Sequence, residues 1–138
     1  PAPRVQGLTP PRKTTRAGAP ATSPARHARL CGALKAGAAA IGLENFTRAS
    51  SQSATVAVFH SPAGIDGTQI VRALYDKHRT VIAGARNRLS GKVIRIGTMG
   101  AVTDGDILTD LAHLEDVLAD LGVKVKRGAG VAAAAALL

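Results

Sequence analysis

At 138 residues, the chain is long enough for one domain with a hydrophobic core, and hardly for two. Only 2% of its residues are aromatic, so the core must be aliphatic, and the stacking platforms of single-strand nucleic-acid binders are excluded. The net charge of +9 is concentrated at one end, because residues 1–43 hold seven basic and no acidic residues, whereas residues 44–138 are nearly neutral. No stretch approaches the roughly 20 apolar residues that cross a bilayer, so no membrane association is expected.

Residues 1–23 form a segment that is rich in Pro, Gly, Ser, Thr and Arg. Such a composition buries too little apolar surface to offset the entropy of the chain, so we predict that this basic segment is disordered. The same composition is also typical of organellar transit segments. The single cysteine, Cys31, lies among small and apolar residues and fits a reducing compartment. We therefore expect a cytoplasmic protein, with organellar targeting as the alternative.

The first predicted helix begins at Ser23–Pro24 and ends at Gly42. Ser is a good N-cap, Pro is tolerated in the first helical position, and Gly is a common stop. Apolar residues recur along one face of this segment at steps of three and four: Leu30, Leu34, Ala38 and Ile41. A short strand is then expected at Thr55–Phe59, between two stretches of turn-forming residues.

A second helix is predicted from Asp66, because Asp66 can cap it and Gln69 can reach back to complete a capping box. The expected buried face of this helix consists of Ile70, Val71, Leu74 and Tyr75. Another strand is predicted at Thr80–Ala83, followed by a loop over residues 84–90.

The next strand lies within Gly91–Gly100 and carries a single arginine. Because strand side chains alternate between faces, Ile94 and Ile96 point one way and Arg95 points the other. A guanidinium in this position can hold a carboxylate or a phosphate through two parallel hydrogen bonds. On the strand alone, the alternative is an arginine on a solvated face of the domain.

A third helix is predicted to begin at Thr103 or Asp104 and to end at Gly122. It has a single apolar stripe, formed by Ile107, Leu111, Leu114, Leu118 and Leu121. Its acidic residues and His113 are interpreted as a solvated face. Residues 123–138 are predicted to be a basic and then alanine-rich tail with a loose end.

The order helix, strand, helix, strand, strand, helix predicts an α/β fold of the two-layer α+β kind, in which a three-stranded sheet carries helices on one face. The four histidines lie far apart in the sequence and form no metal-ligand pattern, so no metal site is predicted. A nucleophile elbow, a P-loop and a dinucleotide-binding motif are also missing, so no catalytic residue is assigned.

Six short motifs follow one another between residues 53 and 100. The most specific is Arg-Ile-Gly-x-Met-Gly at Arg95–Gly100. The five that precede it are Ser-Ala-Thr-Val at 53–56, Pro-x-Gly-Ile-Asp-Gly at 62–67, Arg-x-Leu at 72–74, Val-Ile-Ala-Gly at 81–84 and Leu-Ser-Gly-Lys at 89–92. This series resembles the C-terminal small domain of the class V pyridoxal-phosphate aminotransferases, in the alanine–glyoxylate and serine–glyoxylate (serine–pyruvate) branch. The resemblance implies a mostly antiparallel sheet and a small domain over residues 24–122, entered by a helix at 24–43.

In that family the arginine of the last motif binds the α-carboxylate of the substrate, so the resemblance assigns Arg95 to substrate binding. It implies a homodimeric enzyme that transfers an amino group between an amino acid, alanine or serine, and a 2-oxo acid, glyoxylate or pyruvate. The cofactor, pyridoxal 5'-phosphate, is bound by a large domain that also supplies the Schiff-base lysine. None of the lysines in this sequence has that context, so we expect the chain to be inactive by itself.

Two points leave alternatives open at this stage. The family often has a Gly-Gly-x-Gly-like loop where this chain has Gly84-Ala85-Arg86-Asn87, so the resemblance does not fix the geometry of that loop. The chain could instead be a non-catalytic basic module that contacts nucleic acid or another polyanion through residues 1–35, or a remnant without any ligand. Nucleic acid is not the partner that we expect.

Overall fold

The computed structural model describes the backbone of residues 19–138 and the side chains of residues 24–138. The helices over this range are α1 (Ala19–Ala40), α2 (Gly67–His78), α3 (Asp104–Asp120) and α4 (Ala129–Ala135). The strands are β1 (Val56–His60), β2 (Ala83–Gly84) and β3 (Val93–Gly97), and short 3-10 turns lie at Ala49–Ser51 and Asn87–Leu89. The disorder predicted for residues 1–18 lies outside the described residues.

The three strands form one antiparallel sheet, with β3 in the centre between β1 and β2. Val58 on β1 and Ala83 on β2 lie opposite Arg95, so the motif arginine occupies the middle of the sheet. The predicted α+β fold with a small three-stranded sheet is confirmed. The strand predicted at Thr80–Ala83 is wrong in its bounds, because Thr80 still closes α2 by donating from its amide to the carbonyl of Leu74.

The helices cover the inner face of the sheet. Phe59, Ile94 and Ile96 are buried on that face, against α1 and α2, and α3 packs on both of these helices. The predicted apolar stripe of α3 is buried at four positions, Ile107, Leu111, Leu114 and Leu118. Cys31 is a small buried side chain in this core, as the sequence predicted. The other buried hydrophobic residues of this core, apart from Phe59, are aliphatic.

Both predicted helix starts have the expected caps. The Asp66 carboxylate accepts a hydrogen bond from the Thr68 amide at 2.7 Å, and Gln69 accepts one from the Asp66 amide. At the start of α3, Thr103 is the N-cap, and its amide donates to the Asp106 carboxylate at 2.7 Å. Each capping box satisfies backbone donors that the first turn of a helix leaves free.

The first helix begins earlier than predicted. It starts at Ala19, so residues 19–23, which were assigned to the disordered segment, are helical, and Pro24 lies inside the helix. The part of α1 that follows Pro24 makes long-range contacts: Arg26 donates to the carbonyls of Gly100 and Val102, and Arg29 pairs with Asp104 at 2.7 Å. The predicted stop is confirmed, because α1 ends at Ala40 and Gly42 follows with a positive φ of 87°.

The prediction of a loose C-terminal end is wrong. Residues 129–135 form α4, which packs on α1 and α3. The small residues of the tail allow this contact: a Cβ atom on Gly130 would lie 2.8 Å from the carbonyl oxygen of Gly37. A tail without large side chains can therefore bury its backbone closely against another helix. None of the described helices is both long and apolar enough to cross a membrane.

The predicted buried face of α2 is only partly right. Ile70 and Leu74 are buried, Val71 is half-buried, and Tyr75 is 50% exposed. The Tyr75 ring instead faces the guanidinium of Arg79, which lies 5.2 Å from the ring centroid. Arg79 ends the helix in a left-handed conformation, with φ at 58°, and this turn brings it back over the ring.

Candidate functional site

A cavity of about 360 Å³ lies on the outer face of the sheet, opposite the helices. Its floor is formed by side chains of β1 and β3, and its walls by the segment before β1 and the loop after β2. The lining side chains that matter for its chemistry are Phe46, Val58, Arg86, Leu89, Val93 and Arg95. An apolar lining with a few charged groups is typical of a small-molecule site.

Arg95 is the central charged group of this cavity. Its Nε donates a hydrogen bond to the carbonyl oxygen of Gly84 at 2.9 Å, which fixes the guanidinium against β2. The terminal nitrogens remain free, because no described carboxylate comes within ion-pair distance of them. A guanidinium whose Nε is hydrogen-bonded and whose two terminal nitrogens are free can bind a carboxylate through two parallel hydrogen bonds.

The alternation predicted for β3 is present at its centre. Ile94 and Ile96 are buried on the inner face, and Arg95 is exposed on the outer one. Val93, also on the outer face, is nevertheless buried, because the neighbouring loops cover that end of the sheet. The outer face is therefore a recess around the guanidinium, and Arg95 is exposed to solvent within it, as the alternative of an arginine on a solvated face also predicts.

The turn that follows β3 is anchored at several points. The buried Thr98 donates from its amide to the carbonyl of Thr55 at 2.8 Å, and Gly100 has a positive φ of 79° that favours glycine. Arg26 of α1 donates to the carbonyl of Gly100. Met99, between these anchors, is 58% exposed, so the motif presents one large apolar side chain at its end.

Arg86 is a functional candidate that the sequence reasoning left in an undefined loop. The structure brings it to the same cavity as Arg95, through the pairing of β2 with β3. The sequence signal that could have found it is the arginine itself, which stands in a loop where the family often has glycines. The sequence alone does not give the pairing of β2 with β3, so it could not show that this loop brings Arg86 to the cavity.

A second group of charged residues joins α2 and α3 away from this cavity. Asp116 contacts Lys77 at 2.6 Å, His78 at 2.9 Å and Arg127 at 3.0 Å. The hydrogen bond from Lys77, followed by that from His78 and the charge of Arg127, holds the pKa of Asp116 at about 2. This arrangement connects helices and leaves the Asp116 carboxylate fully engaged.

His113 is not on a solvated face, contrary to the prediction. Its ring stacks on that of His78, with centroids 4.0 Å apart, and its Nδ1 is hydrogen-bonded to the Thr80 hydroxyl at 2.7 Å. Burial and then the neighbouring His78 lower the pKa of His113. The C-terminal end of α2 covers this part of α3, which its sequence alone could not indicate.

The acidic residues of α3 differ from one another in environment. Glu115 is buried at 4% exposure, and the partial burial of Asp110, together with the charge of Asp106, raises its pKa to about 6. Asp104 pairs with Arg29, which lowers the pKa of that carboxyl. The interpretation of a uniformly solvated acidic face is therefore wrong.

The described residues do not fit a pyridoxal-phosphate site. Lys77 is held by Asp116 and Asp120, and Lys35 donates to the carbonyl of Ser53 at 2.7 Å. The other lysines of residues 24–138 are exposed, and none lines the cavity around Arg95. Over the same range, no group of three or more His, Cys, Asp or Glu side chains is arranged to hold a metal ion.

The basic residues of the N-terminal part that the structure describes are engaged within the domain. Arg26 and Arg29 bind the segment around α3, and Lys35 binds a backbone carbonyl. These three are the basic residues of the range 1–35 that the structure describes. Their engagement does not favour the alternative of a polyanion-binding module, which would need them at the surface and free.

Most of the known proteins that the chain is similar to are named as aminotransferases. The chain is 40% identical over 115 residues to the serine–glyoxylate aminotransferase of Arabidopsis thaliana, which covers 83% of this chain and 29% of that protein. It is 39% identical over 101 residues to an uncharacterized aminotransferase of Methanocaldococcus jannaschii, covering 73% of this chain and 26% of that protein. No family model matches the chain.

A solved structure with the same fold is the ureidoglycine–glyoxylate aminotransferase of Bacillus subtilis. It superposes with a TM-score of 0.79 at 34% sequence identity, over 82% of this chain and 30% of that one. The chain thus spans less than a third of the length of the relatives that it matches.

Proposed function

The chain belongs to the class V aminotransferases of the serine/alanine–glyoxylate type, of which it represents a C-terminal portion, and we propose that it is the substrate-binding small domain of such an enzyme. In this role Arg95 binds the α-carboxylate of the amino acid and of the 2-oxo acid. The proposed donors are alanine and serine, and the proposed acceptors are glyoxylate and pyruvate. The Arabidopsis relative is named for serine and glyoxylate.

The observation that supports this proposal is the state of Arg95. Its Nε is held by the Gly84 carbonyl, its terminal nitrogens are free of described carboxylates, and it lies in an apolar recess. An arginine that merely solubilised the surface would need neither the anchoring hydrogen bond nor the recess. An anchored guanidinium loses less entropy when a carboxylate binds.

The remaining parts of the site belong, on this proposal, to the rest of the enzyme. The family is dependent on pyridoxal phosphate, and we assign the Schiff-base lysine and the phosphate-binding groups to the large domain, because no described lysine fits them. The chain alone is therefore inactive. Phe46, which lines the recess, is 38% accessible, and Met99, in the turn after β3, is 58% accessible; both are suited to being covered by that domain.

We propose three further properties of this enzyme, namely its oligomeric state, its compartment and the bounds of its small domain. The enzyme is a homodimer, and it is cytoplasmic. The small domain comprises residues 24–122, preceded by the basic segment 1–23. The tail 123–138 was assigned outside this domain, but α4 packs on α1 and α3, so we include residues 129–135 in the same folded unit.

The test is a chimera in which residues 24–138 replace the equivalent part of the Arabidopsis relative. With pyridoxal phosphate, serine and glyoxylate, we expect transamination by the chimera and none by the chain alone. Arg95→Ala should raise KM for both substrates and lower kcat/KM at least tenfold, because losing a charge-assisted contact with a buried partner costs on the order of 2–5 kcal/mol. Arg88→Ala, in the neighbouring loop, is the matched control. Unchanged kinetics of the Arg95→Ala chimera would contradict the assignment.

A further inference from the structure

A second guanidinium shares the cavity with Arg95. Arg86 lines the same recess of about 360 Å³. Among the described residues, neither arginine has a carboxylate within ion-pair distance. Two cations around one small cavity repel each other and attract a ligand with more than one negative charge.

The hairpin of β2 and β3 determines where Arg86 lies. Gly84 is opposite Ile94, so the chain leaves the sheet beside the middle of β3 and enters the loop there. Arg86 is extended, with φ at −114° and ψ at 170°, and its carbonyl accepts from the Leu89 amide at 3.3 Å. The short turn that follows thus holds the backbone of Arg86 at the rim of the recess.

The bond between Arg95 and the Gly84 carbonyl holds the Arg95 guanidinium on the β2 side of the cavity, and Arg86 follows Gly84 by two residues. The surface that surrounds them is apolar, formed mainly by Phe46, Val58 and Val93. Such a site suits a short carbon chain with an anionic group at each end: the chain contacts the apolar floor, and each end meets a guanidinium.

We infer that this site accepts dicarboxylic amino acids and dicarboxylic 2-oxo acids, with Arg95 binding the α-carboxylate and Arg86 the distal carboxylate. The inference rests on the proposed function and extends its donors beyond alanine and serine. Arg86 is then a specificity-determining residue, and the loop 84–90 is the element that selects the substrate.

The test compares propionate, with one carboxylate, and succinate, with two, in amide chemical-shift titrations of the complete 138-residue chain at constant ionic strength. Titration up to about 100 mM detects even very weak binding. We expect succinate to bind about fivefold more tightly than propionate, since the second charge-assisted contact is solvent-exposed. Arg86→Ala should remove this preference without weakening propionate. Arg88→Ala, which removes the same charge from the same loop outside the recess, should retain it.

The outcomes separate the inference from the function on which it rests. If Arg95→Ala weakens both ligands but Arg86→Ala leaves the preference for succinate intact, the role of Arg86 is overturned and that of Arg95 stands. If Arg88→Ala removes the preference as fully as Arg86→Ala, the effect is one of net charge, and the inference fails. If neither ligand shifts any resonance near β3, or Arg95→Ala changes nothing, the proposed function fails as well.

Discussion

Inside the core, the carboxylate of Glu115 accepts a hydrogen bond from the backbone amide of Gly130 at 2.7 Å. The same carboxylate also accepts from the amide of Gly128. These amides are at the start of α4, where a helix has donors without intrahelical partners. A negative charge there also complements the helix dipole. One acidic residue of α3 therefore holds the C-terminal helix on the domain.

Replacing Glu115 by alanine should destabilise the protein by about 2–3 kcal/mol, because buried amides lose a charged acceptor. The measurement is urea-induced unfolding, together with hydrogen exchange of the α4 amides, which should become less protected than those of α3. Glu44→Ala is the control, since Glu44 is exposed and its change should be within about 0.5 kcal/mol. Equal losses in the two variants would contradict this role of Glu115.

Two glycines of α1 should respond oppositely to alanine. Gly32 is exposed and a Cβ atom there would meet nothing within 4 Å, so Gly32→Ala should stabilise the helix by about 1 kcal/mol. A Cβ atom on Gly37 would lie 2.7 Å from the carbonyl oxygen of Gly130 and even closer to a Leu111 methyl group. Gly37→Ala should therefore cost about 1–3 kcal/mol.

Thermal unfolding of both variants checks this pair. The two substitutions are the same in chemistry and lie in the same helix, so helix propensity cancels between them. If Gly37→Ala is as stable as Gly32→Ala, then α4 does not pack closely on α1 in solution.

The sequence could predict those parts of the fold that depend on neighbouring residues. The capping boxes at Asp66 and Thr103 connect residues three apart, and the alternation around Arg95 is a property of one strand. The apolar stripe of α3 is similarly local. Each of these predictions was confirmed because a short segment contains all the atoms that decide it.

The missed features depend on residues that are distant in the sequence. Helix α4 needs Glu115 as its anchor and Gly37 as its contact surface, and its alanine-rich sequence indicates neither. His113 is covered by His78, which comes from another helix. Arg86 reaches the recess only because β2 pairs with β3. No periodicity or local motif contains this information.

The contribution of Asp110 to stability should fall as pH rises through its titration. Partial burial, and then the charge of Asp106, raise the pKa of Asp110 from its ordinary 3.8 to about 6 in the folded state. Between these two pH values the unfolded chain releases the proton first, so ionisation favours unfolding, and the penalty is complete above about 6. Asp110→Asn should remove this penalty and be more stable at pH 7 by about 1–2 kcal/mol, allowing for partial exposure.

Urea unfolding at pH 4 and pH 7 measures this difference. The gain of Asp110→Asn should appear only at the higher pH. Asp76→Asn, on the exposed side of α2, should change stability little at either pH. A gain of the same size for Asp110→Asn at pH 4 would mean that its cause is not the ionisation of the carboxyl group.

The stacked pair of His78 and His113 should have the opposite pH dependence and make the protein less stable in acid. Burial, and then His78, lower the pKa of His113 below its usual 6.5, while Asp116 opposes this change. The contribution of His113 to stability is thus complete above pH 6.5 and is lost as pH falls through its folded pKa, because the unfolded chain binds the proton first.

Ring-proton NMR should show His113 titrating below pH 6.5. In His78→Ala its pKa should move upward, and in the control His60→Ala, whose ring lies against Phe46, it should not move. A titration of His113 at or above 6.5 in the unmodified chain would show that the imidazole is as accessible as the sequence alone suggested.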